Sequence, residues 1–131
     1  MPRATWPLLQ GRPTIEVVLS SNLGAQTPRV LLADTGGGSV ASPFELLLDI
    51  RDCLAAGGAM LRFVRLHGAF PGSHSVYGIR ILLPQLGFDQ VLRVVGIPIP
   101  PTGMRGTACF RFLNRFSYGN FGDPSLFGLE T

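Results

Sequence analysis

Glycine and proline cut this chain into short apolar runs, and that rhythm restricts it to folds made of strands and turns rather than long helices. Seventeen Gly and eleven Pro punctuate its 131 residues. The length fits one domain, 1–131, whose core is expected to bury roughly two thirds of the surface that the unfolded chain exposes. Charged residues make up only 15% and hydrophobic ones 46%, where about a quarter charged is usual. Either part of the surface is buried against a second subunit, or the domain packs long apolar strands efficiently.

The runs themselves place the elements. Thr14-Ile15-Glu16-Val17-Val18-Leu19 is β-branched and strand-like. Asn22-Leu23-Gly24 supplies a turn. Val30-Leu31-Leu32-Ala33 then reads as a strand buried on both faces, ending abruptly at Asp34-Thr35-Gly36-Gly37-Gly38-Ser39. A helix is predicted over 43–56: Ser42 caps it, Pro43 suits its first turn, Glu45 completes a capping box, and Gly57-Gly58 stops it. Met60 to Phe70 and Ser75 to Leu83 form a long hairpin with a flexible tip around Phe70-Pro71-Gly72-Ser73-His74. Gln90 to Ile97 is another strand, and Pro98 to Gly106 a Pro/Gly connector. Ala108 to Phe116 is a short helix or a strand-to-helix turn, and Leu126 to Glu130 a final strand.

Several functions are disfavoured at once. The net charge is +3, but the basic residues are scattered, without the clustered footprint of nucleic-acid binding. Cys53 and Cys109 make neither a disulfide framework nor a zinc site, and read as buried thiols suited to a reducing, cytoplasmic setting. No apolar stretch approaches the ~20 residues needed to cross a bilayer, and the N-terminus lacks the apolar run of a signal peptide. No metal, cofactor, nucleic acid or membrane partner is expected.

The stretch around Asp34 carries the chemistry. An apolar strand delivers an ionisable group to its very end, a costly placement unless the group is hydrogen-bonded or has a role. Gly36, Gly37 and Gly38 follow, with only Thr35 between. Glycine permits a tight turn and leaves its amides free to approach the carboxylate, while a neighbouring hydroxyl can lock the loop.

Leu31-Leu32-Ala33-Asp34-Thr35-Gly36 resembles the catalytic strand and turn of aspartic peptidases, apolar-apolar-x-Asp-Thr/Ser-Gly, and the chain as a whole resembles the retropepsin-like (retroviral-type) family over about 13–130. Gly68-Ala69-Phe70-Pro71-Gly72-Ser73 stands where that family carries its flap, a hairpin that closes over bound peptide. Cys109-Phe110-Arg111-Phe112-Leu113 stands where it has apolar-apolar-Gly-Arg before a C-terminal helix. Two positions depart from the pattern. Gly37 and Gly38 replace the usual Ala and acidic or small polar residue, leaving Arg111 without its nearby acid, and Phe110 replaces a glycine.

The resemblance implies an all-β fold, a closed barrel-like acid protease domain with one or two short helices. It implies a homodimer as well, because this chain holds one Asp-Thr-Gly and aspartic proteolysis needs two carboxylates sharing a proton. Asp34 from each subunit would meet on a two-fold axis. One carboxylate would act as general base on a water, the other polarise the scissile carbonyl. Thr35 would brace the two loops, Gly36 and Gly37 would shape them, and Ala69, Phe70, Pro71, Gly72 and Ser73 would cover an extended peptide substrate. The competing reading is a catalytically inactive domain of the same fold that binds peptides or dimerises. A less favoured one is an unrelated small barrel with a ligand in its Gly-rich loop.

Plainer roles suit the remaining residues. No Lys-Ser/Thr follows the three glycines, which argues against a nucleotide loop. His67 and His74 lack acidic or thiol partners and read as surface histidines. Phe110, Phe112, Phe116, Tyr118, Phe121 and Phe127 read as core or subunit interface. Asp49 and Asp52 are expected on the solvated face of the helix, and Asp123 in a turn before Pro124.

Overall fold

The turn at Asn22–Gly24 folds two apolar runs into a hairpin, and the barrel closes around it. A computed structural model describes residues 1–99 and 104–131. Its strands are β1 (Arg3–Pro7), β2 (Thr14–Ser20), β3 (Gln26–Ala33), β4 (Leu46–Asp49), β5 (Ala59–Leu66), β6 (Gly72–Leu83), β7 (Phe88–Ile97), β8 (Gly106–Ala108), β9 (Ser117–Gly119) and β10 (Leu126–Glu130). Two short helices interrupt them, α1 (Ile50–Ala56) and α2 (Phe110–Leu113). Strands β2, β3, β8, β4, β7 and β6 hydrogen-bond in that order, and β6 returns to β2 with Val18 opposite Leu82. Six strands therefore close a barrel, and β5 extends from it as the hairpin partner of β6. This is the barrel-like acid protease fold expected from the sequence.

Period-two alternation fills the interior. Ile15, Val17, Leu31, Ile79, Ile81, Leu92 and Val94 point inward, joined by Phe112 and Leu113 of α2. Each large side chain so buried contributes about 2 kcal/mol. A second, smaller cluster of Val64, Val76, Val95 and Ile97 lies under the β5–β6 hairpin. Neighbouring residues on one strand serve different cores, as Val94 and Val95 do. Of the aromatic cluster, Phe112 and Phe127 are core, Phe116 packs against it and Tyr118 is exposed; Phe88, Phe112 and Phe116 meet edge to face at 5.4–5.7 Å between centroids.

The 43–56 segment corrects the sequence reading. Only Ile50–Ala56 is helical, and Leu46–Asp49 is a strand. β4 slots between β7, parallel, and β8, antiparallel. Leu46 and Leu48 enter the main core while Leu47 enters the second one. Adjacent side chains pointing to opposite cores require the strand period, and tertiary pairing overrides the helical propensity of leucine. The helix cap is Asp49, whose carboxylate accepts from the Arg51 N–H at 3.0 Å, not Ser42. Gly57 ends the helix as expected, with φ of +69°.

The strand at 30–33 is likewise not buried on both faces. Leu31 and Ala33 are in the core, but Val30 and Leu32 are only half-buried. A strand absent from the sequence reading, β1, pairs with β10 from Arg3–Glu130 to Pro7–Leu126, and β9 flanks β10 on its other side. Part of the connector expected at 98–106 lies outside the described residues, and Gly106 already begins β8. The 108–116 segment resolves as the short helix α2.

Asp49 and Asp52 are buried, contrary to expectation. Arg51 and Arg105 pair with Asp49 at 2.6 and 3.1 Å, and Arg29 grips Asp52 through two nitrogens at 2.9 and 3.0 Å. The bonds from Arg51 hold the Asp49 carboxyl below the usual carboxylate range, against the opposing effect of burial. Glu45, also buried, is held by Arg115, with Nη2 at 2.9 Å from Oε2. Its backbone N–H donates to Arg93 O and its carbonyl accepts from Cys109 N–H. These carboxylates sit at the end of β4, on α1 and just before β4. Burial is tolerated because each is paired.

Two measurements check these pairs. Arg115→Ala leaves the Glu45 carboxylate buried without its cation, and is expected to lower stability by about 3 kcal/mol in urea unfolding. Arg80→Ala breaks a pair whose two side chains are about half exposed, 51% and 45%, and is expected to cost under ~1 kcal/mol. Equal losses would mean that Glu45 gains nothing from its partner. For Asp49, the folded pKa lies below the unfolded value of about 3.9. Its contribution is therefore complete above that value and lost as pH falls through the folded one. In unfolding between pH 6 and pH 2.5, the gap between Asp49→Asn and wild type is expected to be constant above about pH 4 and to narrow as pH falls below it. A gap of constant size over the whole range would contradict the pairing.

Candidate active site

Alternation along β3 decides where the acid goes. Leu31 and Ala33 turn into the barrel, so Val30, Leu32 and Asp34 share the opposite face. Asp34 stands half-buried one residue past the end of the strand. Its Oδ1 accepts from the Gly36 N–H at 3.0 Å, and its carbonyl accepts from the Gly37 N–H at 3.1 Å. Both glycines pack closely against the acid. A Cβ on Gly36 would lie 3.4 Å from Asp34 Oδ1, and one on Gly37 would lie 3.3 Å from both Asp34 O and Oδ2. Gly38 has φ of +79°, with Ser42 Oγ lying 2.5 Å from where its Cβ would stand, so glycine is required there on two counts. Thr35 is exposed beside the acid.

One short segment fastens this loop from beneath. The Asp34 N–H donates to Ala108 O at 2.9 Å, the Phe110 N–H donates to Gly37 O at 2.9 Å, and Arg111 Nη1 donates to Ser42 O. Start, middle and end of the 34–42 loop are thus tied to residues 108–111. Phe110, which departs from the family pattern, serves here through its backbone N–H, and Arg111, left without a nearby acid, through its guanidinium on a carbonyl. Ser42, expected as a helix cap, closes the loop by accepting from the Ser39 N–H at 2.9 Å.

The hairpin tip spans 67–71, between β5 and β6. Ala69, Pro71 and Ser73 are exposed, while Phe70 and Gly72 are half-buried. Gly72 and Ser73 already belong to β6. The His74 ring donates through Nε2 to Phe70 O at 2.9 Å, so this histidine braces the tip. His67 stays exposed. An open cavity of about 740 Å³ lies between the tip and β3, with Phe70, Val30, Leu32 and Ile97 in its wall. Asp34 is not in that wall. It lies one same-face position past Leu32, about 6–7 Å along the strand.

Asp34 stands apart electrostatically. Five of the eight carboxylates are ion-paired, namely Glu45, Asp49, Asp52, Asp89 and Glu130. Asp123 is engaged by Ser125, and Glu16 is exposed on β2. Among the described residues, Asp34 alone is a half-buried acid held in a glycine loop with no cation against it. The nearby Cys109 thiol is pushed up to about 12, mainly by burial and then by the charge of Asp34. Cys53 is pushed up to about 12 in the same way, its charge effects coming from Asp52 and Asp49. Neither sulfur is a thiolate at neutral pH, so neither is a nucleophile. Among the described residues no three His, Cys, Asp or Glu side chains converge as metal ligands, and no helix is long and apolar enough to cross a membrane.

The sequence reading missed three contributors: Arg115, His74 as a brace, and the Leu9–Arg12 turn that reaches the cavity wall. Only the last left a legible signal, the turn-forming Gly11 between an apolar residue and the Arg12-Pro13 pair.

No protein-family model and no curated protein matches this sequence. Among solved structures, the chain is similar to one described as a retropepsin-like aspartic protease from Rickettsia conorii, with a TM-score of 0.52 and 13% identity, covering 98% of this chain and 95% of that one. At such low identity the likeness is one of fold, and it spans the whole barrel together with the terminal strands: the chain has a retropepsin-like fold.

Proposed function

We propose that this protein is an aspartic endopeptidase that works as a homodimer, with Asp34 of each copy forming the catalytic pair. The observation that carries the reading is the state of Asp34. It is a carboxylate without a cation, delivered by the core strand of a retropepsin-like barrel into a glycine loop beside a cavity roofed by a hairpin. Each chain supplies one such acid and the reaction needs two, so a two-fold pairing of copies completes the site.

In that arrangement the two carboxylates share one proton. The ionised Asp34 removes a proton from the water between them as that water attacks the scissile carbonyl. The protonated Asp34 hydrogen-bonds the carbonyl oxygen and stabilises the charge that develops there. Collapse of the tetrahedral intermediate expels the amine, which takes up a proton from the pair. The Gly36 N–H, bonded to Oδ1, fixes the carboxylate plane, and the ties to Ala108 and Phe110 keep it from drifting. Thr35 braces the loop against its counterpart. Ala69, Phe70, Pro71, Gly72 and Ser73 cover the bound peptide, with Phe70 the residue that faces it.

Asp34→Asn is expected to fold and to lower the rate of peptide-library cleavage by about 10²- to 10⁴-fold, with kcat/KM bell-shaped against pH in wild type and no cleavage above background in the variant. Cleavage retained by Asp34→Asn would rule the reading out. Peptide binding without cleavage by either protein would leave an inert module of the same fold.

A further inference from the structure

The cavity beside Asp34 has a charge pattern that its apolar wall does not require. Three arginines are among the residues that line it, Arg12, Arg29 and Arg105, and among the described residues no acidic one is. Two of the three are neutralised from behind. Arg29 is bound to Asp52 and Arg105 to Asp49, both acids buried. Among the described residues Arg12 forms no ion pair, and it is exposed. The local excess is therefore one positive charge, on Arg12, at the edge of a surface otherwise built from Val30, Leu32, Phe70 and Ile97.

The element presenting Arg12 is rigid. The Leu9 N–H donates to Arg12 O and the Arg12 N–H to Leu9 O, each at 3.0 Å. The two residues between, Gln10 and Gly11, have φ of +52° and +74°. Positive φ at both central positions is the tight turn in which glycine is at home and glutamine is not. Leu9, Gln10 and Arg12 all reach the cavity wall from this turn, so the backbone that carries the arginine is fixed at the edge of the cavity.

We infer that Arg12 sets substrate specificity: the cavity takes an extended peptide with apolar side chains and one Asp or Glu, whose carboxylate the Arg12 guanidinium binds. This rests on the peptide-binding reading above and names the class of peptide. A planar guanidinium pairs with a carboxylate through two parallel bonds. A lysine side chain entering the same space meets only cations. The apolar wall favours a peptide over a nucleotide or polyphosphate, which would strand its charges against Leu32 and Phe70.

The test uses the full chain carrying Asp34→Asn, so that binding is read without turnover. Three fluorescein-labelled hexapeptides, identical and apolar except for a single Glu, Gln or Lys, are titrated by fluorescence anisotropy. The variable residue is moved through each position in turn. At one position the Glu peptide is expected to bind about tenfold tighter than the Gln peptide, and the Lys peptide more weakly than either. The Glu preference is expected to shrink as salt is raised. Adding Arg12→Glu is expected to reverse the order of the Glu and Lys peptides. Should that variant lose its fold by near-ultraviolet circular dichroism, Arg12→Gln must bring Glu and Gln level. A Glu preference absent at every position, or an order unchanged by the Arg12 substitutions, overturns the inference. Digestion of the Gln peptide by the chain with Asp34 intact separates the two readings. Cleavage without any Glu preference defeats the role of Arg12 alone. An Arg12-dependent Glu preference without cleavage defeats the peptidase alone.

Discussion

The position of Asp34 depends on three hydrogen bonds from a four-residue segment. The loop that begins at Asp34 leaves the sheet, and only its first N–H, bonded to Ala108 O at the end of β8, still belongs to the barrel's ladder. Residues 108–111 hold it: a carbonyl takes the Asp34 N–H, an N–H meets Gly37 O, and the Arg111 guanidinium meets Ser42 O. The segment is itself held by Glu45, whose carbonyl accepts from Cys109 N–H while its carboxylate grips Arg115. An ion pair with a buried carboxylate thus bears on the half-buried Asp34 through one backbone relay. Removing the Arg115 charge would disturb the core first and the loop second.

The same logic accounts for the glycines. A carboxylate that must lie within hydrogen-bonding reach of its own loop leaves little room for side chains there. Gly36 and Gly37 meet Asp34 at van der Waals distance, and Gly38 adopts a left-handed backbone against Ser42. Three consecutive glycines would make a free loop slack. Here the Ser39–Ser42 bond and the Arg111 contact close it again.

Much of the barrel was legible because strand periodicity and turn chemistry are local. The β2–β3 hairpin, the β5–β6 hairpin, β7 and β10 fall where their residues say they should, and the Asp34 loop announces itself in order. What failed was non-local. Leu46–Leu48 looks helical until two cores on opposite sides claim alternate leucines. Asp49 and Asp52 look solvated until arginines from β3, α1 and the segment before β8 reach them. β1 has no run of its own to mark it, being specified by its partner β10 at the far end of the chain. Val30 and Leu32 read as buried because apolar side chains signal desolvation without saying by what. They line a cavity, a surface that awaits an occupant.

The proposed mechanism requires that two copies bring their Asp34 side chains together. A crystal structure of the protein with a bound peptide analogue tests that requirement most directly. The expected result is a two-fold axis passing between the Asp34 carboxylates, with oxygens within hydrogen-bonding reach of each other or of one bridging water, about 3 Å apart, and the hairpin tips closed over the peptide. Carboxylates lying far from any two-fold axis, in a chain that sedimentation shows to be a monomer with peptide present, would contradict it.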